Sequence, residues 1–122
     1  MTLKHFSNTV LSVVIGAGCL FGSGYAVAAS DQASVAEGKK IAFDRKKGNC
    51  LACHMIADGS LPGDIGPPLI AMKARFPNKA DLRAQIWNAS AKNPNTIMPP
   101  FGRHQILSDS EIDKITDFIH SL

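Results

Sequence analysis

Cys50, Cys53 and His54 form a motif that could bind an iron porphyrin. Two residues separate the cysteines, and the histidine directly follows the second one. On one helical turn, two thiols at this spacing can form thioethers with the two vinyl groups of a single porphyrin. The imidazole of His54 can then bind the iron from the proximal side. We therefore predict one covalent haem c, attached through Cys50 and Cys53, with His54 as an axial ligand of the iron.

Two other uses of a cysteine pair were compared with haem attachment. A thioredoxin-like redox pair would need a βαβ pattern nearby, and the sequence shows no strand alternation. A structural zinc site would need two further ligands at matching spacing, and the sequence contains no second cysteine pair. The third cysteine, Cys19, stands alone. Haem attachment is the interpretation that the motif favours.

The first 28 residues are typical of a secretory signal peptide. A short polar start containing Lys4 precedes an apolar run over residues 10–21, and Ala26-Val27-Ala28 supplies a cleavage pattern of small residues. Two alternatives fit less well. The run is too short and too glycine-rich for a membrane anchor, and a lipoprotein site at Cys19 would need a branched apolar residue where Gly16 stands. We predict a signal peptide over 1–28, a haem domain over 29–122 and a periplasmic location.

Cleavage after Ala28 would leave 94 residues, with 12 basic against 10 acidic side chains. This near balance gives no reason to expect binding to nucleic acid or to a membrane surface. A peptide core of this size is marginally stable by itself, so the covalent cofactor must supply apolar mass. With Cys50 and Cys53 bound to haem and Cys19 removed, the mature chain would contain no free thiol.

Ser34-Val35-Ala36-Glu37 has the pattern of a capping box and predicts a first helix from Ser34 to about Asp44. Arg45-Lys46-Lys47 follows, where cations favour the negative end of a helix dipole. These cations directly precede the haem motif, so they could surround the haem edge and meet an acidic partner. They could equally be a solvated helix end, and the sequence leaves both interpretations open.

The stretch from Met55 to Pro68 lacks a helical period and is rich in Gly, Pro and Asp, which predicts an ordered loop. Its end, Gly66-Pro67-Pro68-Leu69, can bring a backbone carbonyl to the imidazole of His54. Such a carbonyl would accept a hydrogen bond from the second ring nitrogen and fix the ring orientation. Pro68 would also suit the first position of a helix, and both interpretations can hold.

Three more helices are predicted after this loop. A short one covers residues 69–76, and a second begins at the N-cap Asn78. Trp87 at its end is expected in the core, although it could instead contact the haem or a propionate. A second capping box, Ser108 to Glu111, opens the last helix. That helix should cross the first one through an apolar stripe of Ile112, Ile115, Ile119 and Leu122, flanked by Phe118.

Met98 is the candidate for the sixth ligand of the iron. It lies 44 residues after His54, in a stretch from Asn93 to Gly102 that three prolines keep extended and stiff. A thioether presented from a stiff loop is what the distal side of a haem requires. A core methionine is the alternative. Rival ligands are weaker: Met55 adjoins His54 and cannot reach the opposite face, and Met72 lies on an apolar helix face.

Two histidines are the more serious rivals to Met98, because a second histidine ligand would lower the reduction potential. His104 is six residues beyond Met98 and stays open as a candidate. His120 lies near the end of the last helix and is expected to face water.

Taken in order, the CxxCH motif, the Gly66–Leu69 loop, the Met98 loop and the terminal helix resemble class I cytochrome c. The resemblance covers nearly all of the predicted mature chain. It implies an all-α fold with His54 and Met98 as axial ligands. The six residues between Phe43 and Cys50 are a departure from the family pattern, which could change the register between the first and last helices.

A narrower resemblance is to the SoxX family of monohaem cytochromes. It is carried by residues 41–45, 48–54 and 63–69, and by the Met98 loop. SoxX is half of SoxAX, the periplasmic complex that joins thiosulfate to a cysteine of the SoxYZ carrier, an L-cysteine S-thiosulfotransferase. The resemblance implies a SoxA-type partner that contains the reactive cysteine-ligated haem, with transient contact to SoxYZ and to a downstream electron acceptor.

The sequence therefore favours an electron-transfer subunit of a thiosulfate-oxidising complex that is not itself catalytic. An iron with both axial positions filled has no place for substrate, and the mature chain would have no thiol to carry sulfur. A free-standing periplasmic electron shuttle needs the same haem and ligands and remains an alternative. A haem sensor with an exchangeable sixth ligand is a third possibility.

Overall fold

Residues 24–122, the part of the chain that this computed structural model describes, contain four α-helices and two short 3-10 turns connected by loops. No β-strand occurs in this part, in agreement with the predicted all-α class. The elements in chain order are α1 (Gly24–Phe43), a 3-10 turn (Cys50–Ala52), α2 (Met72–Arg75), α3 (Lys79–Trp87), a second 3-10 turn (Ala89–Ala91) and α4 (Asp109–His120).

Helix α1 begins ten residues before the predicted start at Ser34, so that prediction was wrong. The segment before Ser34 is rich in alanine, the strongest helix former, and contains no proline, so nothing forces the helix to begin at the serine. The Ser34 hydroxyl instead donates to Asp117 of α4, at 2.5 Å. The predicted end was correct to one residue. Most of the predicted signal peptide, residues 1–23, lies outside the described residues, and its cleavage stays a prediction.

Helix α4 has the predicted capping box. The Ser108 side chain accepts from the backbone N–H of Glu111, and the Glu111 carboxylate accepts from the backbone N–H of Ser108 at 3.0 Å. Ile112, Ile115, Phe118 and Ile119 are all buried, as the stripe predicted. The helix is therefore held at its start by its own side chains and along its length by the core.

Helices α1 and α4 cross at a glycine. A Cβ atom on Gly38 would lie 1.9 Å from the backbone oxygen of Lys114, so only glycine allows the two backbones to come this close. One helical turn further on, the rings of Phe43 and Phe118 meet edge to face with centroids 5.9 Å apart. This crossing joins the two ends of the described chain into one wall of the core.

The segment before the CxxCH motif is tied to α4 by an ion pair between Lys47 and Glu111. A hydrogen bond from the Lys47 ammonium lowers the pKa of Glu111 most, and the backbone N–H of Ser108 lowers it further. The pKa is about 2, below the ordinary 4.5. The same carboxylate raises the pKa of Lys47, mainly through the hydrogen bond. Because Lys47 is well exposed, solvent screening keeps the contribution of the pair to stability modest.

We expect Glu111→Gln to flatten the acid side of the pH–stability profile. Folding lowers the pKa of this carboxyl group, so the charged group stabilises the protein at pH values above its unfolded pKa of about 4.5. This contribution is lost as the pH falls toward the folded pKa of about 2. Glutamine keeps the capping box, so the helix start is preserved. Thermal midpoints between pH 2 and 6 measure the effect. In a Lys47→Met background, Glu111→Gln should change the thermal midpoints at low pH less, because the ion pair is already gone. Equal changes in both backgrounds would show that the ion pair is not the cause.

The two middle helices were predicted with different success. Asn78 caps α3 as expected, its side chain accepting from Ala80 N at 3.1 Å. Helix α2 has only four residues, so the prediction of a helix over 69–76 was too long. Ala71 adopts a left-handed conformation with φ 52°, which separates Pro68 and Leu69 from the helix. Met72 N donates instead to the carbonyl of Leu122, so a tertiary contact sets where α2 begins.

No helix within residues 24–122 has both the length and the apolar character needed to cross a membrane.

Candidate haem-binding site

A cavity of about 580 Å³ lies between the CxxCH segment, the Met98 loop and α4. It brings together all four predicted haem-binding residues, Cys50, Cys53, His54 and Met98. Most of the wall between them is apolar, and its main contributors are Leu69, Met72, Leu82, Ile86, Phe101, Ile115 and Ile119. Several of these residues also form the hydrophobic core, so the cavity is the centre of the domain.

Cys50 and Cys53 are held close to each other by a tight turn. Asn49 adopts a left-handed conformation with φ 48°, and the 3-10 turn Cys50–Ala52 follows it. The backbone N–H of His54 donates to the Cys50 carbonyl at 2.9 Å, which brings the imidazole back over the same turn. Burial raises the pKa of the Cys50 thiol to about 11. Redox cysteines have lowered pKa values, so this environment does not favour a thioredoxin-like pair.

The imidazole of His54 is oriented from behind by the loop that the sequence indicated. Its Nδ1 donates to the carbonyl of Pro67 at 2.8 Å, which leaves Nε2 with its lone pair for a metal. Gly66 allows this approach, because a Cβ there would lie 2.4 Å from Cε1 and 2.6 Å from Nδ1 of the ring. The predicted carbonyl contact is present, whereas Pro68 does not begin a helix.

We expect Gly66→Ala to disturb the proximal side of the site strongly. The added methyl group would push the ring away from Pro67, and losing such a supporting contact typically costs about 10–100-fold in metal affinity. The ferric protein should then show a high-spin fraction in its absorption spectrum. Gly59→Ala is the matched control from the same loop, because its Cβ would mainly meet the flexible side chain of Leu51. A Gly66→Ala protein with an unchanged low-spin spectrum would contradict the assignment.

Met98 lies on the loop between the second 3-10 turn and α4, and no helix runs through this stretch, as predicted. Its backbone N–H donates to the Thr96 hydroxyl at 3.2 Å, and its side chain is partly buried against the core. Two prolines follow directly, and Phe101 after them is 7% exposed and anchors the loop in the core. The thioether is thus presented to the cavity from a short, stiff segment.

Met72 also lines the cavity, and only its contacts distinguish it from Met98. Its sulfur accepts a hydrogen bond from Arg75 Nη1 at 3.4 Å, and the same nitrogen donates to the Pro68 carbonyl at 2.7 Å. The Met72 sulfur is therefore already engaged, and it lies on the Pro67–Pro68 side of the cavity, where His54 is. The sulfur of Met98 accepts no hydrogen bond from the residues described, so it is the better placed ligand.

The remaining rivals do not line the cavity. His104 is exposed, and Met55 is 52% exposed. His120 was expected to face water, but its Nε2 donates to the Phe76 carbonyl at 3.1 Å, so it links α4 to the end of α2. Within residues 24–122, no group of three or more His, Cys, Asp or Glu side chains could hold a metal ion. A zinc site built on Cys50 and Cys53 would lack further ligands there.

Trp87 is placed differently from both expectations. It is 36% exposed and does not line the cavity, so it neither contacts the haem site nor lies in the core. It packs instead on Gly102 of the Met98 loop.

Sequence reasoning also missed the rim of the cavity, where Ile65, Ile97 and Ile106 are 64%, 76% and 47% exposed. Their apolar character is visible in the sequence, but their convergence on one opening is a property of the fold.

The three cations that precede Cys50 line the cavity mouth. Arg45, Lys46 and Lys47 all do so, in agreement with the interpretation that they surround the haem edge. Lys47 is paired with Glu111, whereas Arg45 and Lys46 form no ion pair within the described part of the chain. The mouth therefore combines exposed isoleucines with two unpaired cations.

The residues present fit a haem. The cavity is large and mainly apolar, as a flat apolar cofactor requires. Two cysteines, an imidazole oriented by a carbonyl and a thioether border the same space, and this donor set is that of a covalently attached His/Met haem.

The comparisons with known proteins agree with this chemistry. Residues 35–122 match the cytochrome c family, and the chain belongs to that family. Membership confirms the class I, all-α fold and implies a covalently bound haem c, so the predicted cofactor is confirmed. Electron transfer is the function that the family shares.

A narrower likeness links the chain to one solved structure. Its structure resembles a chain in the crystal structure of SoxXA from P. pantotrophus, with a TM-score of 0.64 and 29% identity. The match covers 70% of this chain and 79% of that chain. The chain is thus a SoxX-like cytochrome, as its motifs indicated.

A curated relative provides little beyond the family. An uncharacterized lipoprotein of Aquifex aeolicus (strain VF5) is 33% identical over 76 residues, which are 62% of this chain. The match covers 37% of that protein, so the chain spans little more than a third of its length.

Proposed function

We propose that this chain is the electron-transfer subunit of a periplasmic SoxAX-type complex, which oxidatively joins thiosulfate to a carrier cysteine and passes the two electrons released on to an acceptor. Two findings support the proposal: the convergence of Cys50, Cys53, His54 and Met98 on one cavity, and the likeness to a chain of SoxXA. The first supports electron transfer without catalysis, and the second supports the partner. A SoxA-type subunit would contain the reactive haem, and contact with a SoxYZ carrier would be transient.

In this proposal, each cavity residue has a distinct role. Cys50 and Cys53 would attach the haem, and His54 and Met98 would bind its iron. When bound, the haem supplies a one-electron ferric–ferrous couple. The Pro67 carbonyl holds the imidazole in one orientation, and hydrogen bonding to it raises the basicity of the ligand. The apolar walls limit access of water, which helps to set the potential. With His54 and Met98 both bound to the iron, thiosulfate would have no position at which to bind.

The cavity rim supports a lasting protein partner. Ile65, Ile97 and Ile106 are exposed around the opening, where an electron must enter or leave. Exposed apolar side chains grouped around a functional opening are typical of the apolar centre of a stable interface. We propose that a SoxA-type subunit covers this rim.

A free-standing shuttle is the second candidate, and Arg45 and Lys46 are the observation that favours it. Unpaired cations at a haem opening steer transient encounters with acidic partners, and such encounters weaken steeply as ionic strength rises. A subunit held by an apolar interface should be much less sensitive to salt.

The test is affinity purification of the chain from the periplasm of thiosulfate-grown cells, at low and at high salt. A stoichiometric partner with its own CxxCH motif and a cysteine-ligated haem, retained at high salt, is the expected result. A chain that elutes alone at monomer size would overturn the complex and leave the shuttle.

Activity of the isolated chain is the second measurement. The isolated chain should be reduced and reoxidised reversibly, with negligible thiosulfate turnover. Turnover should appear when a SoxA-type partner, a SoxYZ-type carrier and an electron acceptor are all added. Thiosulfate turnover by the purified chain alone would overturn the relay role.

A further inference from the structure

The tryptophan at the end of α3 contacts the loop that presents Met98. The indole ring of Trp87 lies so close to Gly102 that a Cβ there would be 1.9 Å from Cδ1 and 2.1 Å from Nε1. Gly102 has no positive φ, so its requirement for glycine comes from this contact and not from backbone conformation. Ring and loop are in direct contact, with no space for a side chain between them.

The backbone of Trp87 holds the same segment. Its carbonyl, at the C-terminus of α3, accepts the N–H groups of Gly102 at 3.0 Å and Arg103 at 3.3 Å. Carbonyls in the last turn of a helix have no partner within the helix, so they are available to bind a neighbouring loop. Ring and carbonyl together fix Gly102 against the end of α3.

Gly102 is connected to Met98 by a short and stiff segment. Only Pro99, Pro100 and Phe101 separate the two residues, and the prolines lock φ at two of these three positions. Phe101 is buried, so it cannot take up a shift without leaving the core. A displacement of Gly102 is therefore transmitted to the methionine instead of being absorbed between them.

We propose that Trp87 and Gly102 form a clamp that keeps Met98 on the haem iron, with Trp87 as a positioning residue outside the haem cavity. The proposal rests on the proposed function, since it requires Met98 to be the sixth ligand. The clamp keeps the distal position closed and so preserves an electron-transfer site. Without it, the loop opens more often and external ligands gain access to the iron.

Binding of added imidazole to the ferric holoprotein measures this opening. Imidazole can bind only after Met98 leaves, so its apparent dissociation constant is inversely proportional to the fraction of open protein. We expect Trp87→Ala to raise the open fraction about tenfold and therefore to lower the apparent dissociation constant about tenfold. The charge-transfer absorption that marks methionine–iron bonding should weaken in parallel. Trp87→Phe keeps a flat ring at this position and should restore most of the wild-type behaviour.

Two controls separate the clamp from general stability. Ile112→Val removes one methyl group from the buried face of α4, at a residue that does not line the cavity, and lowers stability. It should leave imidazole binding unchanged. Gly102→Ala should open the site by itself, because its methyl group collides with the ring. In a Trp87→Ala background the same change should add little, since the colliding ring is gone.

Each outcome decides a distinct point. If Trp87→Ala binds imidazole no better than Ile112→Val while wild type shows the methionine–iron absorption, the clamp is overturned and Met98 ligation stands. If wild type lacks that absorption and binds imidazole as tightly as Met98→Ala, methionine ligation fails, and the clamp fails with it. Additive effects of the Trp87 and Gly102 substitutions would also overturn the clamp.

Discussion

Met98→Ala is expected to convert the protein from an electron carrier into a haem that binds small ligands. With the thioether removed, one axial position is open, and carbon monoxide should bind rapidly to the ferrous form. In wild type its binding should be limited by the release of Met98. The reduction potential should fall by on the order of a hundred millivolts or more, because a thioether ligand favours the ferrous state and axial ligands span about 0.8 V.

Met72→Leu is the matched control, because leucine nearly conserves volume and such swaps cost less than about 1.5 kcal/mol. Both methionines line the cavity, but the Met72 sulfur accepts from Arg75. The control should keep its potential and its slow carbon monoxide binding. If Met72→Leu opened the iron and Met98→Ala did not, Met72 would be the ligand, contrary to our assignment.

The double substitution Cys50→Ser and Cys53→Ser is expected to leave the chain largely unfolded. Without thioethers the haem is lost during purification, and the core surrounds a cavity of about 580 Å³. At about 24 cal/mol per Å³, an empty cavity of that size corresponds to about 14 kcal/mol. Entry of water makes this an upper value, but it lies near the top of the roughly 5–15 kcal/mol by which domains are stable.

Far-ultraviolet circular dichroism and a denaturant titration of the haem-free variant provide the measurement. The helical signal should be low, and no cooperative transition should remain. Cys19→Ser is the control, because Cys19 lies in the predicted signal peptide and should not affect haem content. A cooperatively folded double variant without haem would show that the peptide core suffices alone.

The haem site was predictable because covalent attachment is a local property of sequence. Covalent haem attachment requires two cysteines and the ligand histidine within one turn, so Cys50, Cys53 and His54 can be recognised as a contiguous motif. The Pro67 carbonyl was predictable for a related reason, since a glycine followed by two prolines restricts where the backbone can run. The experiments above test their roles as haem ligands.

Elements that depend on tertiary contacts were predicted less well. The Ser34 capping pattern is present in the sequence, yet the serine bonds to Asp117 within a longer helix. Helix α2 begins at Met72 because the Leu122 carbonyl accepts its N–H. Neither partner is near in sequence, so no local pattern could indicate the choice. The same holds for Trp87 and Gly102, whose close approach leaves no signature in residue types.

The crossing of α1 and α4 at Gly38 has a consequence for the order in which the protein is assembled. Ile115 and Ile119 of α4 form part of the cavity wall, so this wall is complete only when α4 has docked against α1. Cys50 and Cys53 instead lie on a turn that is local in sequence. Haem can therefore be attached while the pocket is still open on one side, and docking of α4 then encloses it. The crossing of the two helices thus closes the pocket after the cofactor has entered.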